Sequence, residues 1–482
     1  MLKILEQHRC HRRQMLTIGG TALAGLAIPS LLRSAETVTN QQNSAIASPL
    51  GAMGPELKRY LSGKSVIFLF QQGGPSQLET FDPKADAPSG VRTLTGTCST
   101  SLPGVEFGET LPQLATLADR LCVVRSFQTN NAGHNIQPLV GKESLETNIG
   151  AHYARVAGAT HPANGLPTTA VLYPSSVSTD VPGPEARGNL LATGTYASSF
   201  APFVPGGSGQ LQKDMELNLP ASRFFDDRRS LLQGLDRLQQ DLEVRGEFGA
   251  LNDLQQQSYE LLRSGGVSKA LDLSLEDPSI LAQYDTAKYV NKKLAGKVNR
   301  GSRGYYQAQQ QSIGKLLLMA RRLCEVGAGF VTIHAGYAGI WDMHGDGNNL
   351  NIVDGMEAVG RPFDHAVAAF IRDVEARGLS DRILLVTCGE MGRTPRINGK
   401  GGRDHWAKLS PLMLTGGGLP QGAVIGQSTR DGGEPLSDPL TPQHLISTIL
   451  QTLIDPAHLR LDPTMPPQIN QLMQHPTLTP PA

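Results

Sequence analysis

Unbroken apolar runs, rather than alternating ones, mark the strands of this chain. In "KSVIFLFQQGGPSQ" no polar position interrupts Val66 to Phe70, the pattern of a strand covered on both faces. The run stops at Gly73, Gly74 and Pro75, a strong break. "LPQLATLADRLCVVRSF" predicts a short helix leading into a strand at Leu121 to Val124, and "TTAVLYP" predicts another short strand. "KLLLMARRLCEVG" has the spacing of an amphipathic helix closed by Gly327. The strand "GFVTIHAG" and the loop "WDMHGDG" come next, then a helix from Val353 to Arg377 stopped at Gly378. "RILLVTCGE" and "PLMLTGGG" read as strands, and "TPQHLISTILQTLI" as a last helix with Pro442 in its first turn.

One region has a different period. From Ala221 to Gly265, Leu231, Leu232, Leu235, Leu238 and Leu242 recur at helical spacing, and residues 206–300 read as a mainly helical insertion. Elsewhere strands alternate with helices. That pattern predicts an α/β fold, a three-layer α/β/α sandwich with a largely parallel central sheet. Ligands of such sheets gather at the carboxyl ends of the strands.

Composition narrows the partners. Lys+Arg and Asp+Glu are equal at 43 each, so charge gives no reason to expect nucleic acid as a partner. The start, "HRCHRRQMLTIGGTALAGLAIPSLLRSAE", pairs Arg12 and Arg13 ahead of a mild apolar stretch, with a small-residue site near Ala35. Residues 1–35 resemble a twin-arginine signal peptide, which predicts export by the twin-arginine machinery to the periplasm or cell surface. A retained anchor is the alternative. Residues 36–62 are polar and read as a linker; no later apolar stretch is long enough to span a bilayer. The cysteines have no zinc-thiolate spacing; Cys98 and Cys122 could pair in an oxidising compartment.

The candidate chemistry lies just after predicted strands. Asp342 and His344 in "WDMH" are two apart, so in an extended loop they point the same way and could chelate one ion. In "CGEMGRTPRINGKGGRDHWA", read as a glycine-rich loop, Glu390, Asp404 and His405 add two carboxylates and an imidazole. Oxygen plus imidazole suits Zn or Mn, whereas Mg or Ca prefers more oxygens. The plainer alternatives are a capping Asp342, a surface His344, a Glu390 that caps a helix or pairs with Arg393, and an ion pair of Asp404 with Arg403 or Arg396. Arg393 is the candidate to grip an anionic group through its two-pronged guanidinium. Ser76, at the glycine break, is a candidate nucleophile or a plain helix cap. His134 is a candidate proton donor or anion contact, or an exposed loop residue. Glu79 and Asp82 are further acidic candidates or surface carboxylates, and His334 and His365 read as structural. Neither a P-loop nor G-x-S-x-G occurs.

Together "IFLFQQGGPSQLETFDPK", "LPQLATLADRLCVVRSF", "RRSLLQGLDRLQQDL", "FVTIHAGYAGIWDMHGD" and "GEMGRTPRINGKGGRDHW" resemble the domain of unknown function 1501 family of twin-arginine-exported bacterial proteins. That family is placed near the alkaline phosphatase and sulfatase superfamily. The resemblance implies an alkaline phosphatase-like sandwich with a metal cleft at the strand ends. It implies Asp342, His344 and His405 as ligands of one ion, with Glu390 where a second ion is normally served. The chain departs from the pattern at Gln71 and Gln72, where an Asp ligand is expected. It also lacks any Cys-or-Ser-x-Pro-x-Arg for formylglycine chemistry. The expected function is a metal-dependent hydrolase of a phosphate or sulfate ester. The alternative is an inactive relative that binds an anionic glycan or a protein partner.

Overall fold

Ser65–Phe70 forms the strand β1, and its five apolar side chains are buried, each worth about 1.5–3 kcal/mol relative to exposure. Alternate residues enter opposite cores, Ile67 and Leu69 on one face, Val66, Phe68 and Phe70 on the other. The unbroken apolar run therefore has its physical cause in two dry faces.

This computed structural model describes residues 60–161, 165–206, 266–460 and 465–478. The expected signal, nearly all of the linker, and residues 207–265 of the expected insertion lie outside the described residues. The remaining strands are β2 (Thr97–Ser99), β3 (Glu106–Gly108), β4 (Cys122–Val124), β5 (Thr169–Leu172), β6 (Phe330–His334), β7 (Ile383–Cys388), β8 (Gly392–Ile397), β9 (Arg403–Trp406), β10 (Leu412–Gly416) and β11 (Ala423–Ile425). Seven form one sheet in the order β11-β4-β10-β7-β1-β6-β5. All its pairings are parallel except those of β10, which runs against both β4 and β7. The sheet is thus largely parallel, with "PLMLTGGG" as its one reversed strand.

Four helices cover the faces: α1 (Ile149–Ala157), α2 (Arg300–Glu325), α3 (Arg361–Ala376) and α4 (Pro442–Leu453). Helices α2 and α3 bury Leu316, Leu317, Phe363 and Phe370 against Ile67 and Leu69. Helices α1 and α4 bury Tyr153, Ile446 and Leu450 in the core on the opposite face. The expected three layers are present. Helix α3 is less regular than its sequence suggests, because a wide π-type turn, Met356–Gly360, precedes it. Pro362 has no N–H to give to Ala358, and the buried Gln310 amide donates to that carbonyl instead, at 3.1 Å. Within the described part of the insertion, Gly266–Leu271, Pro278–Gln283 and Lys292–Ala295 are short helices.

Register sets the site. Phe70 lies opposite both His334 and Cys388, so the loops after β1, β6 and β7 leave the sheet at one level. The stretch after β7 is not a plain loop: β8 and β9 pair as an antiparallel ribbon, with Arg393 opposite His405. The glycines of "NGKGG" close its turn, and the intervening register shift is the irregularity that hid the ribbon from a pattern reading. Cys98 and Cys122 are free thiols. Among the described residues no helix is long and apolar enough to cross a membrane.

Candidate metal centre

Asp342, 6% exposed, sits in the loop after β6 and is the point on which the centre converges. Its Oδ2 lies 3.0 Å from His134 Nε2 and 3.2 Å from Asn349 Nδ2. Its Oδ1 lies 2.8 Å from His344 Nε2, 3.3 Å from His405 Nε2 and 2.7 Å from Arg393 Nη2. Burial opposes the charge of this carboxylate. The hydrogen bonds from the three imidazoles and the Arg393 charge outweigh burial and hold its pKa far below the usual range.

The far nitrogen of each imidazole is also taken. His134 Nδ1 is 3.1 Å from Glu390 Oε1, His344 Nδ1 is 3.0 Å from Asp404 Oδ1, and His405 Nδ1 is 2.8 Å from Ala132 O. This is the outer-shell pattern of metal-binding histidines, which give Nδ1–H to a carboxylate or carbonyl and present Nε2 inward. Both nitrogens of every ring thus face an acceptor, and the ring of His405 lies 4.5 Å from that of His134 and 4.8 Å from that of His344. Three Nε2 atoms grouped about one carboxylate are a donor set that a divalent cation would accept, with each Nδ1–H kept on its outer partner. The ligand atoms of His134, Asp342 and His405 all lie within 4.8 Å of one another, a group able to hold a metal ion.

The electrostatics of these side chains follow the contacts. Burial opposes protonation of His134, but its bonds to Asp342 and Glu390 win and raise its pKa to about 9. The Asp342 bond raises that of His344 against burial. Glu390 is wholly buried, which pushes its carboxyl up, and bonds from His134 and the Gly73 N–H pull it back. The bond from Asn398 lowers Asp404, which stays on the open side of the centre.

Arg393 is fully buried, and each of its three nitrogens donates to a neighbour. Besides Asp342, Nε donates to Gly74 O at 2.7 Å, Nη1 to Arg403 O at 3.2 Å, and Nη2 to Gly73 O. It pins the loop after β1 to the loop after β6. Gly73 has φ +115°, and a Cβ there would come within 2.7 Å of the Asp342 and Trp341 nitrogens. The glycines thus permit a close backbone approach. Ser76 is buried in a neighbouring network: its hydroxyl donates to Glu79, which pairs with buried Arg403 at 2.9 Å. Glu79 and Asp82 are therefore core residues and not surface carboxylates.

The structure gathers Asp342, His134, His344, His405, Glu390, Asp404 and Arg393, and keeps Ser76 in the adjoining cluster. Asn349, Ala132 O and Gln72 escaped the sequence reading. Asn349 and Ala132 carry no chemical signature. Gln72, read only as a departure, is 1% exposed and bonds His334 Nε2 at 2.8 Å.

Among solved structures the chain is similar to the PsFucS1 sulfatase from Pseudoalteromonas sp., with 10% identity over 84% of this chain and 70% of that one and a TM-score of 0.33. It is similar to the phosphonate monoester hydrolase SpPMH from Silicibacter pomeroyi, with 12% identity over 81% and 72% and a TM-score of 0.31. It is also similar to alkaline phosphatase from the Antarctic bacterium TAB5, with 13% identity over 80% and 97% and a TM-score of 0.26. No curated protein matches the chain. Residues 63–463 match the family described as "Protein of unknown function (DUF1501)", and the chain belongs to that family.

Proposed function

We propose that this protein is an exported, metal-dependent hydrolase of a phosphate or sulfate ester. His134, His344, His405 and Asp342 would hold one divalent ion. One observation carries the reading: three Nε2 atoms converge on one carboxylate while every Nδ1 is held from behind. Three imidazoles and one carboxylate suit zinc, with manganese next; calcium and magnesium prefer oxygen. Such an ion supplies Lewis-acid polarisation of an ester oxygen and lowers the pKa of water.

The chain's own residues prepare the site. Glu390, Asp404 and Ala132 O fix the three rings, so Glu390 and Asp404 serve as orienting carboxylates rather than ligands. Arg393 keeps Asp342 ionised and in place. The attacking group is water or Ser76. The buried Ser76 hydroxyl, already given to Glu79, favours water. The same observation, with the burial of Arg393, supports a second reading, an inactive relative that keeps the centre for binding. An anionic small molecule or glycan is the substrate or ligand in either case. The twin-arginine start supports export to the periplasm or cell surface.

Metal analysis of the purified full chain, followed by turnover of nitrophenyl phosphate and nitrophenyl sulfate with and without chelator, tests the reading. Bound metal with chelator-sensitive turnover supports the hydrolase. Bound metal without turnover supports binding. Failure to bind zinc or manganese after reconstitution rejects both.

A further inference from the structure

Arg393 is fully buried and tied to Asp342 and to backbone carbonyls, whereas a second arginine, Arg187, is exposed on a segment tied to the loops of the centre. The segment Glu185–Gly188 bridges the loops that carry Asp342 and His134. Toward the first, Glu185 N donates to Gly336 O at 2.7 Å and Ala338 N donates to Glu185 O at 2.9 Å. Toward the second, Gly188 lies against Ile136, so close that a Cβ would come within 2.6 Å of Cγ1. Between these anchors, the Gln72 side chain holds the backbone of Arg187. Gln72 Oε1 accepts from Arg187 N at 3.3 Å and Gln72 Nε2 donates to Arg187 O at 3.2 Å. The same Nε2 donates at 2.6 Å to Asn135 O, one residue beyond His134.

The orientation of that amide is itself fixed. His334 is fully buried, and its Nδ1 accepts from Gly336 N at 2.9 Å. Its Nε2 therefore carries the hydrogen and donates to Gln72 Oε1 at 2.8 Å. A buried amide and a buried imidazole thus set the backbone of residue 187 beside the loop of His134. The Arg187 side chain is exposed and makes no ion pair or side-chain hydrogen bond among the described residues.

We infer that Arg187 is the residue that binds the anionic group of the substrate at the mouth of the centre, gripping a phosphate or sulfate group through its planar fork. The inference rests on the proposed metal centre only for where the substrate lies. Gln72 reads the backbone of residue 187 alone, so substitution of the side chain leaves the mount intact.

The test titrates inorganic phosphate, and separately sulfate, into zinc-loaded full-length protein by calorimetry, for the wild type, Arg187→Ala and Arg187→Lys. Zinc content is measured alongside. Arg187→Ala should weaken binding by roughly ten- to a hundredfold at unchanged zinc content. Arg187→Lys, which keeps the charge but not the fork, should fall between. Wild type and Arg187→Ala affinities within twofold of each other, or no anion binding by the wild type, overturn the assignment. If no zinc is retained, the metal reading fails on its own, and the same titrations of the metal-free protein decide Arg187. A loss confined to the variants upholds it, and its absence overturns it.

Discussion

Arg393 Nη2 meets Asp342 Oδ1 at 2.7 Å, and neither residue can turn to solvent for compensation. Arg393→Met removes the buried positive charge, frees the Gly73 and Gly74 carbonyls, and leaves Asp342 more dependent on its imidazoles. Breaking a buried ion pair from one side costs about 3–5 kcal/mol. Urea unfolding in the presence of chelator should show a loss of that size. The variant should also bind metal more weakly. An unchanged unfolding midpoint would mean that the guanidinium does not hold the two loops together.

On the proposed metal reading, the ligands and their orienting partners should separate by the size of their effect on metal binding. Asp342→Ala, His134→Ala, His344→Ala and His405→Ala each remove a donor and should abolish stoichiometric zinc retention through gel filtration. Glu390→Gln and Asp404→Asn keep the shape and lose the charge behind a ring. Loss of such an outer partner typically lowers affinity by about ten- to a hundredfold. Competition against a chromophoric chelator resolves the difference. Asp404→Asn should have the smaller effect, because Asp404 is on the open side and Glu390 is fully enclosed.

Gly73 and Gly378 both have positive φ, +115° and +65°, but only Gly73 faces a neighbouring backbone. At Gly378 a Cβ meets nothing within 4 Å. Gly378→Ala should therefore cost about 1 kcal/mol, the conformational penalty alone, and leave metal content unchanged. Gly73→Ala adds a clash with the Trp341 and Asp342 nitrogens that neither backbone can relieve without moving the carboxylate. It should cost several times more and reduce zinc retention. Equal effects from the two substitutions would show that the loop after β1 has room to shift.

The sheet was legible because its strands are buried on both faces, and "VIFLF" and "ILLVT" can hardly be anything else. Asp342, His344 and His405 were legible as candidates because they crowd the two stretches that follow β6 and β7. His134 is separated from Asp342 by 208 residues, and only the fold shows that its ring belongs to the same centre. The sequence counts Glu390 and Asp404 as candidate ligands, and residue type alone does not reveal that each meets the Nδ1 of a neighbouring imidazole. Arg393 had the right chemistry for an anion, but its neighbours in space, the carbonyls of Gly73, Gly74 and Arg403, come from remote segments or from the partner strand of its ribbon. No local pattern predicts that these carbonyls will occupy it.

Acid should weaken the fold through histidines outside the centre. Burial lowers the pKa of His152 to about 4, against its bond to the Ser144 carbonyl, and lowers that of His334 to about 3. In the unfolded chain both return to about 6.5, so unfolding takes up protons once the pH drops below that value. Their contribution is complete above pH 6.5. It is lost by about 1.4 kcal/mol per histidine per pH unit as pH falls, until the folded values are reached. Urea unfolding with chelator at pH 7.5, 6 and 5 should show this decline. His152→Gln should remove one histidine's share of the slope, and a slope equal to that of the wild type would locate the acid sensitivity elsewhere.

Ser76→Ala separates the two candidate nucleophiles. The hydroxyl donates to Glu79, and the Ser76 carbonyl accepts from Thr80 Oγ1 at 2.7 Å, so the residue helps hold the chain around the Glu79–Arg403 pair. If that is its whole role, the variant loses one hydrogen bond to a buried carboxylate, about 1.5–3 kcal/mol of stability. Its turnover per bound metal should then stay within twofold of the wild type. A nucleophilic Ser76 predicts the opposite: little change in zinc content and loss of turnover by several orders of magnitude. Nitrophenyl phosphate and nitrophenyl sulfate assays normalised to zinc content read the two outcomes directly. The buried position of the hydroxyl and its engagement by Glu79 favour the first, with water as the attacking group.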